Sequence, residues 1–188
     1  MSFEVIPERY PFTTDDEKWM HLALEQASFA EMHGEIPVGA IIVSQNRVIG
    51  VGYNAPITLH DPTAHAEIVA LRDACARIQN YRLPDDAVLY VTLEPCTMCV
   101  GALVHARIQK VIFAASEPKA GSLLSARQLL SNNGYYNHVF EYQHGCLEQQ
   151  ASALLSAFSK SAERKKNNKA SFWFVKKNLM LYLCSYNL

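Results

Sequence analysis

Apolar positions recur along this chain with two alternating periods, one near 3.6 and one of short β-rich runs. Trp19, Met20, Ala23, Leu24 and Ala27 follow helical spacing. Thr14-Asp15-Asp16-Glu17 just ahead has the Ser/Thr-x-x-Glu form of a capping box, which predicts a first helix ending near His33-Gly34. Residues 38–43 and 48–53 are β-rich and separated by Ser44-Gln45-Asn46-Arg47, a hairpin signal. Ile68, Leu71, Cys75 and Ile78 then share one helical stripe, and Asp61-Pro62-Thr63 reads as the start signal of that helix.

Residues 87–93 form a nearly continuous apolar strand that runs directly into Glu94-Pro95-Cys96. A further helix is expected over 96–106, a strand over 111–115, a short helix over 122–130 and a last strand over 139–142. Leu147, Ala151, Leu154, Leu155 and Phe158 give a C-terminal helix. Strands alternating with helices predict a three-layer α/β domain, and no internal repeat interrupts it.

At 188 residues the chain suits one domain with a sizeable core, and 49% hydrophobic with 19% charged residues is ordinary for a globular protein. Five cysteines form an odd set without a regular framework, which argues for a reducing compartment. The first ten residues show no basic start followed by an apolar core, so no signal peptide is expected and the cytoplasm is the predicted location. The net charge of −1 conceals an asymmetry. Residues 1–159 carry 10 basic and 17 acidic side chains, whereas 160–188 carry 7 basic side chains and only Glu163. The run containing Lys160, Arg164, Lys165, Lys166 and Lys169 is suited to phosphates or to a solvated helix end in equal measure. Beyond it, Phe172-Trp173-Phe174-Val175 and Leu179 to Leu183 flank two lysines, and neither run approaches the roughly 20 residues that cross a bilayer. The chain therefore divides into a domain over 1–166 and an extension over 167–188 of unknown role.

The chemistry concentrates in His65-Ala66-Glu67 and Pro95-Cys96-Thr97-Met98-Cys99. Two thiolates and an imidazole supply three ligands for tetrahedral Zn²⁺ and leave a fourth position for water, whose pKa the metal lowers to roughly 7. If Pro95 opens a helix, Cys96 and Cys99 fall on one face of its first turn, where the helix N-terminus favours thiolate. His65 and Glu67 reach the same point only from a first turn, where side chains lean toward the helix start. Glu67 is then left to carry protons. A structural zinc site would need a fourth protein ligand. Cys75, ten residues past His65, lies about 15 Å away along one helix axis, while spacing alone does not exclude Cys146 or Cys184.

The strings His60-Asp61-Pro62-Thr63-Ala64-His65-Ala66-Glu67 and Thr92-Leu93-Glu94-Pro95-Cys96-Thr97-Met98-Cys99 resemble the cytidine-deaminase-like zinc hydrolases, whose H-x-E and P-C-x-x-C signature is shared by nucleobase deaminases. Glu35-Ile36-Pro37-Val38-Gly39-Ala40, Asn54, Asn80-Tyr81-Arg82-Leu83 and His105-Ala106-Arg107-Ile108 more specifically resemble the bacterial tRNA adenosine deaminases, over about residues 14–164. The resemblance implies a three-layer α/β/α fold around a mixed sheet of about five strands, with one zinc per subunit held by His65, Cys96 and Cys99. It also implies a homodimer and hydrolytic deamination of wobble adenosine to inosine in a tRNA anticodon stem-loop, with Glu67 as proton shuttle. Asn54 and Ala66 would line the base pocket. Glu117, Lys119 and Ser122 would approach the flanking nucleotides, and Asn137 and His138 the RNA backbone. The likeness is inexact at Glu117, where the family usually has aspartate, and in the loop from Lys119 through Gly121 to Leu123, which looks shorter than in well-known members. Two alternatives share the core motif: a deaminase of free bases such as guanine or cytosine, and a non-catalytic zinc-bearing RNA-binding subunit.

Overall fold

In a computed structural model that describes residues 11–131 and 136–164, five strands make one sheet. The chain runs α1 (Thr14–Met32), β1 (Gly39–Ser44), β2 (Arg47–Tyr53), α2 (Pro56–Leu59), α3 (Ala66–Ile78), β3 (Val88–Leu93), α4 (Thr97–Ala106), β4 (Lys110–Ala115), a 3₁₀ turn (Leu129–Ser131), β5 (Glu141–His144) and a C-terminal helix over 148–164. The extension over 167–188, Cys184 and the basic run from Lys165 onward lie outside the described residues.

The strand order is β2-β1-β3-β4-β5, with β1 antiparallel to both neighbours and β3, β4 and β5 parallel. The expected mixed five-stranded sheet is therefore present. Alternation along the strands divides the core into two halves. Ile41, Val43, Tyr90, Ile112 and Ala114 face α1 and the C-terminal helix, which contribute Trp19, Met20, Leu24 and Ala151. Ala40, Ile42, Leu89, Val91, Val111 and Phe113 face α3 and α4, which contribute Ala70, Leu71, Val100, Leu103 and Val104. The layers are helix, sheet, helix.

One close contact positions the working end of α3. Ala66, Ala70 and Ala74 recur every four residues and lie against Gly50 and Gly52 of β2. A Cβ on Gly52 would stand 2.3 Å from the Ala66 carbonyl oxygen and 2.4 Å from the Ala70 nitrogen, so glycine and alanine together set how near the helix approaches the sheet. The hairpin preceding it turns through Gln45 and Asn46 with φ of 48° and 56°, the double left-handed geometry of a type I′ turn.

The structure corrects several expected boundaries. The first capping box is Thr13 with Asp16, not Thr14 with Glu17: Thr13 Oγ1 accepts the Asp16 N–H at 3.0 Å and Asp16 accepts the Thr13 N–H at 2.9 Å. The Tyr90 hydroxyl of β3 donates to the same Asp16 carboxylate at 2.9 Å, a tertiary anchor that selects this register. The segment Asp61-Pro62-Thr63 is a turn ahead of α3 rather than its start. Asp61 Oδ1 accepts the Thr63 N–H at 2.8 Å and Arg72 of α3 pairs with Asp61 at 3.0 Å. The Thr63 hydrogen bonds and Arg72 hold the Asp61 carboxyl down at about 2.

The last strand begins at Glu141 rather than 139, in register with Lys110 of β4. As an edge strand it exposes Glu141, so apolar runs mark it poorly. Residues 122–130 are turns that end in the 3₁₀ turn, not an α-helix: the Ser122 carbonyl accepts the Leu129 N–H at 2.9 Å and the Gly121 carbonyl the Ala126 N–H at 3.1 Å in place of i→i+4 partners, and Gln128 has φ of 46°.

Candidate metal centre

Two helix N-termini converge at one end of the sheet. His65 is the N-cap of α3 and Cys96 the N-cap of α4, both with extended backbone and neither making a side-chain capping bond. Pro95 thus precedes the cap instead of opening the helix, and Cys99 sits three residues on, inside the first turn. Backbone N–H groups left unsatisfied at such ends favour anionic ligands. The strand β3 delivers Cys96 from its carboxyl end, the position at which α/β sheets commonly place ligands.

The three candidate ligands meet. Cys96 Sγ and Cys99 Sγ each lie 3.6 Å from His65 Nδ1 and 3.6 Å from one another. A tetrahedron with Zn–S bonds of about 2.3 Å and a Zn–N bond of about 2.0–2.1 Å has edges of about 3.5–3.8 Å, so the donor set and its spacing fit zinc. Among the described residues no other His, Cys, Asp or Glu joins this cluster. Cys75 instead directs its thiol to the Tyr81 carbonyl, and Cys146 is buried in the core beside α1.

The three groups perturb one another. The Cys99 hydrogen bond, with the His65 ring alongside, holds the Cys96 thiol down at about 3, against the effect of its burial. The same Cys96 contact and burial push the Cys99 thiol up. Contact with Cys96 raises the His65 pKa. Glu67, in the first turn of α3, is 4% exposed, and burial pushes its carboxyl up from the usual carboxylate range. It lies beside Cys99 and His65 without joining the ligand cluster.

Asn54 is buried just past β2, and the following residue donates its N–H to the Ala64 carbonyl at 2.9 Å, which ties Asn54 to the chain entering His65. Ala66 is fully buried, its backbone in the first turn of α3. Glu117 turns its carboxylate onto its own loop, accepting the Lys119 N–H at 2.9 Å, and Lys119 is exposed at the tip. The structure does not bring Asn137 and His138 to the cluster. The Arg107 guanidinium donates to the Asn137 carbonyl at 3.0 Å and the His138 ring meets the Ile108 carbonyl at 2.7 Å, both at the far end of α4, about 15 Å along a ten-residue helix from Cys96.

Sequence reasoning assigned no role to Glu94, although the structure builds the adjoining loop around it. Its carboxylate is 3% exposed and accepts backbone N–H groups from Glu117, Leu123, Leu124 and Ser125, together with the Ser125 hydroxyl. Burial pushes the Glu94 carboxyl up, but the Ser125 and backbone hydrogen bonds outweigh burial and hold it below the usual range. A carboxylate closing an apolar strand must find such partners, and that was the available signal.

Comparison with known proteins agrees with this geometry. The sequence profile of the cytidine and deoxycytidylate deaminase zinc-binding region matches residues 13–115. The tRNA-specific adenosine deaminase of Haemophilus influenzae is 50% identical over 157 residues, covering 82% of this chain and 90% of that one. A solved structure from studies of A-to-I editing by tRNA:A34 deaminases at the wobble position of transfer RNA superposes with a TM-score of 0.71 at 40% identity, covering 73% of this chain and 99% of that one. The guanine deaminase of Bacillus subtilis aligns over 53% of this chain and 64% of its own, with a TM-score of 0.51 and 42% identity. With the family profile matched over residues 13–115 and with 90% and 99% of the two tRNA deaminase relatives covered at 50% and 40% identity, the chain belongs to the tRNA-specific adenosine deaminases within the cytidine and deoxycytidylate deaminase zinc-binding family.

Proposed function

We propose that this chain hydrolyses the exocyclic amine of adenosine at the wobble position of a tRNA anticodon, releasing ammonia and leaving inosine. The observation that carries the reading is a buried carboxylate, Glu67, standing beside a three-ligand cluster that no fourth described residue closes. One Zn²⁺ per chain, held by His65, Cys96 and Cys99, would act as a Lewis acid that lowers the pKa of a bound water to about 7.

The remaining work falls to the protein. Glu67 accepts a proton from the attacking water, returns it to N1 of the adenine, and carries the second proton to the departing amine. Its raised pKa suits a group that must be both base and acid. The backbone N–H of Ala66, without an intrahelical acceptor at its position, and the Asn54 amide would hold the base edge. Lys119 offers a cation to the flanking phosphates from the exposed loop tip. Glu117 supports that tip, and Asn137 and His138 would touch RNA only away from the reacting base. An anticodon loop suits this chemistry because its bases splay out at lower cost than those of a duplex.

The test is a comparison of substrates. Zinc-replete protein should convert wobble adenosine to inosine in an anticodon stem-loop and leave free guanine unchanged. Turnover of guanine without turnover of RNA would replace this reading with the free-base one.

A second copy of the chain is the proposed partner. Phe29 and Met32 at the end of α1, with Ile36, Ile57 and Leu59, are large, apolar and exposed. The Glu35 carboxylate accepts the Thr58 N–H at 2.7 Å and so joins the segments that carry the last three. A surface of this kind favours association. Light scattering should give the mass of two chains; a monomer at micromolar concentration would refute it. The cytoplasm, where tRNA is available, is the proposed location. No helix among the described residues is long and apolar enough to cross a membrane.

A further inference from the structure

The loop over 117–125 is folded around a single side chain, and that side chain stands two residues from a zinc ligand. Glu94 Oε1 accepts three consecutive amides, from Leu123, Leu124 and Ser125, at 3.1, 2.8 and 2.9 Å. Its Oε2 accepts the Glu117 amide at 3.0 Å and the Ser125 hydroxyl. The two oxygens therefore clamp both ends of the loop.

The loop is also fastened to the metal-bearing segment. Cys96 and Gly121 pair as a short antiparallel bridge, the Ser122 N–H donates to the Pro95 carbonyl at 3.0 Å, and the Thr97 and Ser122 hydroxyls lie 2.9 Å apart. There is no slack at the crossing point. A Cβ on Gly121 would lie 2.3 Å from Glu94 Oε2 and 2.5 Å from the Glu117 carbonyl oxygen. Between the clamped ends, Pro118, Lys119 and Ala120 are exposed; Lys119 stands two residues before Gly121, which bridges to Cys96, and the Arg127 guanidinium reaches the same tip, donating to the Ala120 carbonyl at 3.3 Å. Glu94 itself stands outside the candidate ligand cluster of His65, Cys96 and Cys99.

We propose that Glu94 is a positioning residue, which fixes the 117–125 loop against Cys96 and so sets where Lys119 meets the RNA substrate. The assignment rests on the tRNA reading given above for the identity of what Lys119 touches, but the clamp itself does not. A carboxylate suits the task because it only accepts hydrogen bonds, whereas an amide in the same place would turn an N–H₂ group toward the Glu117 N–H or the Ser125 hydroxyl.

Glu94→Gln tests it. The variant should retain wild-type zinc content and a kcat within about threefold, while KM for the anticodon stem-loop rises about tenfold, because the effect falls on substrate placement rather than on proton transfer. Lys119→Ala should raise KM about fivefold in the native background and have almost no effect on KM in the Glu94→Gln background, the coupling expected of groups acting through one loop. Ser125→Ala, which removes one donor and leaves the carboxylate in place, should raise KM in the same direction by less. Equal effects of Lys119→Ala in both backgrounds, or an unchanged KM in a folded, zinc-loaded Glu94→Gln protein, would overturn the assignment. Hydrogen exchange separates this outcome from failure of the tRNA reading. Glu94→Gln should speed exchange at the amides of Leu123, Leu124 and Ser125 and leave β3 and β4 unchanged, whatever the substrate proves to be. Unaltered protection at those three amides refutes the clamp.

Discussion

Glu67→Ala is expected to reduce kcat by about a thousandfold or more, at the upper end of what general acid–base catalysis contributes, while zinc content stays near the wild-type level. The two halves of this expectation have separate structural origins. The side chain is buried in the first turn of α3 and lies outside the cluster of His65, Cys96 and Cys99, so its removal deletes no ligand. What it deletes is the carboxylate that, among the described residues, lies beside the cluster and is proposed to move two protons in sequence, from water to N1 and from the new hydroxyl to the amine. Glu67→Gln refines the test, since it keeps the volume and leaves no cavity for water while forbidding proton transfer. Both variants should bind the stem-loop with near-native affinity. Metal analysis and single-turnover kinetics on one preparation check the whole expectation, and turnover at the native rate in either variant refutes the shuttle.

Replacing Cys99 by serine, or stripping the metal with a chelator, should have an effect of similar size through a different route. Cys99 is fully buried and takes one corner of the 3.6 Å triangle with His65 and Cys96. Serine cannot reproduce a soft, ionised ligand at this distance, so zinc affinity should fall by at least about a hundredfold and inosine formation should drop to background. The cluster also joins the starts of α3 and α4, so a ligand that binds only the folded chain adds stability. At a thousandfold excess of free zinc over Kd the gain is about 4 kcal/mol, which calorimetry would record as a higher melting temperature for zinc-loaded protein than for chelator-treated protein. In Cys99→Ser that difference should nearly vanish. A melting temperature independent of zinc in the native chain would show that the site is not coupled to folding.

The reach of sequence reasoning is clearest where it stopped. Helices α1, α3 and α4 and strands β1 to β4 lie within a residue or two of the expected boundaries except at the start of α3, because their apolar periods are long and regular. The start of α3 was misplaced because Asp61, Pro62 and Thr63 form a turn with the same composition as a helix cap, and only the backbone distinguishes the two. Residues 122–130 look helical by spacing, yet the Ser122 carbonyl takes the Leu129 N–H instead of the Ala126 N–H, and Glu94, 29 to 31 residues earlier, gathers the amides of Leu123, Leu124 and Ser125 into a loop. No local pattern contains that arrangement. Asn137 and His138, expected along the RNA backbone, meet Arg107 and Ile108 at the end of α4 far from Cys96, a placement that no local pattern gives.

From the order of residues alone came the candidate ligand set, His65, Cys96 and Cys99, and the proposed proton carrier, Glu67, since those side chains have few chemical uses in common other than an open zinc site. The α/β class came with them, since hydrophobic period is a local property of the chain. Three things were left to tertiary structure: that the two helix starts meet with 3.6 Å between ligand atoms, that alanines on α3 rest on glycines of β2, and that Glu94 folds a loop around itself. Each depends on contacts between segments far apart in sequence. Such contacts are selected by packing and hydrogen-bond satisfaction over the whole domain, which no stretch of residues encodes by itself.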